Sequence, residues 1–178
     1  IWYYEATWEM PVVDAKAGIN VITDLDGKKF NPGGTGTSAE AIIKNIADLL
    51  GFAPNWFTAS QADAGDAYAN REIIGTVKLG PTVDSYVMQL NAAIPIDLIS
   101  LTEDQVNAVR AELPYLVSGV IPAGTYDGVD HDTVVVGTPQ GCQTRVGNFT
   151  QQEQYQIFKA VMEDYTDMWH NAYPVGAE

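Results

Sequence analysis

One cysteine, two histidines and nine lysines and arginines in 178 residues are few, and each scarcity removes a class of function. Cys142 is alone, so no internal disulfide forms, and Cys-x-x-Cys metal or redox sites are excluded with it. As a residue type, a lone cysteine is expected to sit buried as a small hydrophobe. The nine basic residues stand against 23 acidic ones, a formal charge of −14. Lys28-Lys29 is the only basic pair, so there is no basic stripe to neutralise phosphates, and nucleic acid is excluded as a partner. No run of about 18 apolar residues occurs, so no segment is expected to insert into a membrane as a helix. His131 lies in a polar loop and His170 near the chain end, and both read as surface histidines. Asp130-His131-Asp132 are adjacent in a loop and rarely could turn toward one ion, so no metal is expected. Ser85 and Ser118 lack any nucleophile motif. No constellation points to an enzyme, and no cofactor is expected.

What is present suits a folded domain. Hydrophobic residues make up 46% and charged residues 18%, enough for one sizeable core or two small lobes. Met10 to Val13 predicts a strand, Gly18 a turn, and Asp26-Gly27 a second turn before a short strand over Lys28 to Asn31. Ala39 to Leu50 predicts a helix, with Ile42, Ile43, Ile46, Leu49 and Leu50 at helical spacing and Gly51 as its stop. Then come a strand near 56–60, a helix over Gln61 to Asn70, a strand over Ile73 to Leu79 closed by Gly80-Pro81, and a helix over Thr82 to Ala93. A strand over Ile96 to Leu101 precedes Thr102-x-x-Gln105, a capping box that opens a helix to about Leu113. The alternation from 20 to 113 is an α/β pattern. Residues 119–133 read as a Gly-, Pro- and Asp-rich loop, with β-rich stretches at Thr133 to Gly137 and Gly141 to Val146. Thr150-x-x-Glu153 opens an amphipathic final helix with Tyr155, Phe158, Val161, Met162, Tyr165 and Trp169. Asp24, Asp26, Asp63 and Asp66 read as turn and cap residues.

Pro32-Gly33-Gly34-Thr35-Gly36-Thr37-Ser38 lies between a predicted strand and a well-formed helix. The first turn of a helix presents N–H groups without intrahelical partners, and with the helix dipole these can receive an anion. Glycines let a ligand approach the backbone, while Thr35, Thr37 and Ser38 add hydroxyl donors. A P-loop would need a lysine here and a dinucleotide fingerprint a third spaced glycine, and neither is present. The alternative is a turn that merely caps the helix through Thr37 or Ser38.

Several segments in order resemble the TAXI-type solute-binding proteins of tripartite ATP-independent periplasmic (TRAP) transporters. They are Trp2-Tyr3, Ile22-Thr23-Asp24-Leu25-Asp26-Gly27-Lys28, Gly33-Gly34-Thr35-Gly36-Thr37, Asp66-Ala67, Gly80-Pro81, and Pro114-Tyr115 followed by Ile121-Pro122-Ala123-Gly124-Thr125-Tyr126. Thr35 stands where the family has serine, and Tyr126 is followed by Asp127 where it has proline. The resemblance implies an α/β, type II periplasmic-binding-protein fold with one lobe nearly complete and the other partial. It implies a hinge strand and remnant of lobe one over 1–19, lobe two over 20–113, and the hinge return, lobe-one strands and final helix over 114–178. An N-terminal segment of the family, with a signal peptide in the precursor, is expected to precede Ile1. The implied function is extracytoplasmic, in the periplasm: capture of a small carboxylate or amino acid for the membrane subunits of a TRAP transporter, without chemistry on the ligand. Trp2 and Tyr3 would wall the ligand's apolar part, Thr35, Gly36, Thr37 and Ser38 would hold its carboxylate, and Pro81 would shape the far wall. An intracellular ligand-sensing domain and an enzyme of the same fold are the alternatives.

Overall fold

The computed structural model describes residues 2–164 and 167. Two compact units are distinguished, Thr7–Thr138 and a second one made of Ile1–Ala6 with Pro139–Glu178.

The larger unit is built around a long strand, β1 (Trp2–Asp14), most of which lies within it. Two-residue β2 (Lys29–Phe30) leads through the glycine-rich loop to α1 (Ser38–Leu50), then β3 (Asn55–Trp56), α2 (Gln61–Ala69) and β4 (Gly75–Gly80). α3 (Ser85–Ala93), β5 (Ile96–Leu98), α4 (Glu103–Glu112), β6 (Val117–Ile121) and β7 (Thr133–Cys142) follow. β2 and β3 pair in parallel. A parallel bridge from Asn31 to Thr76 joins them to β4. β1 runs antiparallel to β4, with Trp8 opposite Gly80 and Val13 opposite Gly75. It is also antiparallel to β5, with Val12 opposite Leu98. Across the lower half of β1 the order is therefore β3-β2-β4-β1-β5, and farther along β1 the neighbours are β7 and then β6. The α/β expectation holds, but the ladders are mostly antiparallel. The reason is the placement of β1, which enters from the chain's start and reverses direction between β4 and β5.

Helices cover both faces of this sheet. On one side Ile42, Ile43, Ile46 and Ala47 of α1 and Val106 and Val109 of α4 pack with Val13, Phe30, Val77, Ile99 and Val136. On the other, Ala64, Ala67 and Tyr68 of α2 and Val87 and Leu90 of α3 pack with Met10, Val12, Ile96, Leu98 and Val135. Met10 and Val12 on one face and Val13 on the other follow from the two-residue period of a strand. Fully burying an isoleucine such as Ile43, 0% exposed, contributes about 1.5–3 kcal/mol. Gly119 on β6 leaves room for the Trp8 indole, which a Cβ there would strike.

The smaller unit is described over residues 2–6 of β1, the end of β7, α5 (Gln151–Lys159) and a π-helical turn over Ala160–Asp164. Cys142, expected to be buried, is exposed. It is the last residue of β7 and opens a stretch of largely exposed residues, so its place in the chain outweighs the tendency of its type. The β-rich stretch expected to begin at Gly141 instead ends β7, and Val117–Ile121, partly read as loop, forms β6. Register explains the second difference: each residue of β6 opposes one of Thr133–Gly137, whose apolar run was legible.

Candidate functional site

β2, β3 and β4 run parallel, so their C-terminal ends share one edge of the sheet, and the loops that leave them lie along it. The chain turns one way from β2 to β3 and then back past β2 to β4. That reversal is a topological switch point, where open α/β sheets form crevices for ligands. The glycine-rich loop springs from β2 at this point.

Asn31 fixes the loop's root. Its side chain is fully buried, and its amide donates to the Phe57 carbonyl at 2.7 Å. Its Oδ1 accepts from Gly33 N–H at 2.9 Å and from Thr76 Oγ1 at 2.7 Å. One side chain thus ties the ends of β2 and β3 to the first residues of β4. Gly33 has φ +97°, and a Cβ on it would lie 2.8 Å from the Ala39 Cβ, so only glycine fits against α1 here. Thr35 N–H and Oγ1 both donate to the Ala59 carbonyl at 3.1 Å. Thr37 Oγ1 donates to the Gly34 carbonyl at 2.6 Å and accepts from Glu40 N–H at 3.3 Å, which makes Thr37 the N-cap of α1. Gly36 N–H is taken by the Glu40 carboxylate at 2.7 Å. Lys44 binds the other oxygen of that carboxylate at 2.6 Å. Lys44 first, and Gly36 N–H second, hold the Glu40 carboxyl below its ordinary range.

Gly33, Gly34, Thr37, Ser38 and Ala39 line a recess of about 230 Å³ together with Gln61, Val77, Lys78 and Leu79. The loop is therefore neither remote from a crevice nor sealed beneath other groups. Its parts differ, however. Thr37 and Ser38 border the recess, whereas Thr35 is spent on Ala59 and Gly36 on Glu40. Pro81 lies on the same sheet edge, next to Gly80 at the end of β4. Trp2 and Tyr3 belong to β1, and their side chains fall outside what is described. His170 also lies outside the described residues. His131 is a surface histidine, as expected, with its side chain 43% exposed and its Nε2 2.8 Å from Asp97 Oδ1.

Two groups escaped the sequence reading. Lys78 is an inward-facing lysine, its side chain 20% exposed, with Nζ 3.6 Å from Asp84 Oδ2 and 3.5 Å from Gln61 Oε1. The signal was a lone charge inside the apolar run Val77-Lys78-Leu79, directly before Gly80-Pro81. Tyr126, the last residue of the Ile-Pro-Ala-Gly-Thr-Tyr segment, is buried and braces the loop after β4. Its hydroxyl accepts from Asp84 N–H and donates to the Thr82 carbonyl, both at 3.0 Å. Desolvation raises that hydroxyl's pKa, so it stays protonated and able to donate. Asp84 in turn caps α3 through Tyr86 N–H at 2.9 Å and Val87 N–H at 3.2 Å.

A match spans residues 1–177, nearly the whole chain, and it is to the NMT1-like family. The chain belongs to the NMT1-like family. This is a periplasmic binding-protein family related to the TRAP-type solute binders, and the mixed sheet with helices on both faces is consistent with its fold. Among curated proteins nothing matches the chain. Membership of the NMT1-like family accords with a recess lined by hydrogen-bond donors. Among the described residues no helix is long and apolar enough to cross a membrane.

Proposed function

We propose that this NMT1-like protein is an extracytoplasmic receptor that captures a small carboxylate or amino acid and delivers it to the membrane subunits of a TRAP transporter, as TAXI-type proteins do. The observation that carries the reading is the recess at the switch point, where the N-terminus of α1 meets Lys78. On this reading Ser38 donates to the ligand's carboxylate, helped by the first-turn N–H groups of α1, while Thr37, its hydroxyl given to the Gly34 carbonyl, holds the loop in place beside it. Gly36 becomes a donor when Glu40 yields, and Thr35 holds the loop against Ala59. Pro81 walls the remainder of the solute. Residues 20–113 serve as one lobe, and 1–19 with 114–178 as the hinge segments and part of the other. The protein holds its ligand and performs no chemistry on it.

Thermal-shift screening against short organic acids and amino acids tests this directly. A true ligand raises the melting temperature by mass action. The variant Ser38→Ala is expected to lose about 1–3 kcal/mol of binding in calorimetry. A flat melting response across the whole panel would overturn the receptor reading.

A further inference from the structure

We propose that two copies of this chain associate through the outer edge of β6, a contact separate from the ligand recess. Among the described residues β6 pairs with β7 alone, and it ends the sheet on the side away from β2 and β3. Which of its backbone groups face outward follows from β7. Val134 donates its N–H to Ser100 Oγ at 2.9 Å, and its carbonyl accepts Leu101 N–H at 2.9 Å, so both groups point away from β6. Val120 stands opposite Val134 and therefore belongs to a pair without mutual hydrogen bonds, as does Ser118 opposite Val136. Ser118 and Val120 thus turn their N–H and C=O groups to the free edge. The ladder stops at both ends. Leu116 has given its N–H to the Leu113 carbonyl and its own carbonyl to Arg110 Nε, and Pro122 has no N–H to give.

These donors and acceptors, centred on Gly119, form a self-complementary set. With a twofold axis at Gly119, Ser118 of each copy exchanges both hydrogen bonds with Val120 of the other. The helix beside the edge has the same symmetry. Ser118 and Val120 lie on the α4 side of the sheet, as do Val134 and Val136 opposite them. There Glu103, Asn107, Arg110 and Ser118 line a recess of about 300 Å³. Glu103, Asn107 and Arg110 form one stripe of α4, whereas Asp104 and Glu112 lie about 100° and 180° round the helix from Glu103. Neither Glu103 nor Arg110 has an ion-pair partner among the described residues. Arg110 sits by the start of β6 through Leu116, and Glu103, about two turns back, lies toward its end. The axis therefore brings Arg110 of each copy to Glu103 of the other. Val120, 49% exposed, is covered by the same contact. A strand of another protein could use the backbone groups but would not supply this reciprocal order of charge, so the occupant is a second copy.

Sedimentation equilibrium of the protein is expected to show monomer and dimer exchanging in the micromolar range, as suits a small contact. Hydrogen exchange locates it: the Ser118 and Val120 amides, free in the monomer, should slow as protein concentration rises. Val120→Lys is expected to weaken the dimer at least about tenfold, because a charge on an edge strand blocks pairing. Glu103→Arg and Arg110→Glu should each weaken it by about tenfold, and the two together should return it to within about threefold of the parent. A monomer at every concentration would overturn the proposal. So would a dimer indifferent to Val120→Lys, or a charge-swapped double variant no stronger than either single one. Should a variant not fold, exchange in the unaltered protein decides, and amides at Ser118 and Val120 that ignore concentration refute the contact.

Discussion

Helices α1 and α5 carry similar local instructions. Each opens on a threonine whose hydroxyl accepts the N–H three residues on, Thr37 from Glu40 and Thr150 from Glu153. Each displays apolar residues at helical spacing. Their surroundings differ. Ile42, Ile43 and Ile46 of α1 are at most 3% exposed. In α5 no residue is buried, and Tyr155 and Phe158 are 52% and 40% exposed. Caps and periodicity decide where a helix begins and which stripe it shows. Only the neighbouring elements decide whether that stripe is covered, and most helical stability comes from the covering.

Truncation at matched positions breaks the comparison most sharply. Ile43→Ala is expected to cost about 2–5 kcal/mol in chemical denaturation, and Tyr155→Ala less than about 0.5 kcal/mol. Similar losses at the two sites would mean that the stripe of α5 is covered after all.

Glu9 sharpens the contrast from inside the larger unit. It is 2% exposed on β1 opposite Leu79, and its carboxyl oxygens have no hydrogen-bond partner among the described residues. Desolvation raises its pKa well above the ordinary glutamate value. The folded state therefore holds a proton that the unfolded chain releases. The contribution of this group is fully present below its unfolded pKa and is lost as pH rises through the folded one. Glu9→Met is expected to gain about 1–3 kcal/mol near neutral pH and to flatten that slope, checked by urea titrations from pH 4 to 9. A variant less stable than the parent at pH 8 would show that the carboxylate has a partner.

The smallest effect belongs to His131 on the surface. Hydrogen bonding to Asp97 raises its pKa first, then the Asp132 carbonyl. The stabilisation is complete below the unfolded pKa and is lost as pH rises through the folded one. Both partners are more than a third exposed, so His131→Ala should change stability by less than about 0.5 kcal/mol at pH 6. A loss well above that figure would show a pair shielded from solvent.

These regions also differ in how far they could be read in the chain. α1 came through almost to the residue, because a capping threonine, an isoleucine stripe and Gly51 at φ +74° agree. α4 followed from Thr102 and Gln105, whose mutual hydrogen bonds form the expected box. Composition marks the glycine-rich loop as either an anion site or a capping turn, and the family resemblance makes it the candidate site. What composition left hidden is how its donors are distributed: Thr35 and Gly36 turn to Ala59 and Glu40, contacts that depend on the folded path of β3 and α1. Lys78 was missed because a strand's alternation does not say what lies beyond the sheet edge. β6 was obscured by Gly119, which belongs there because Trp8 fills the space above it.

Glu40 carries one more consequence. Its carboxylate is a tethered anion, present at a high effective concentration beside Gly36. Chloride, formate or any other weakly held ion must outcompete an occupant that cannot diffuse away. On the receptor reading, the Gly36 N–H is thereby kept from the commonest solutes, and only a molecule that gains in the adjoining recess displaces Glu40.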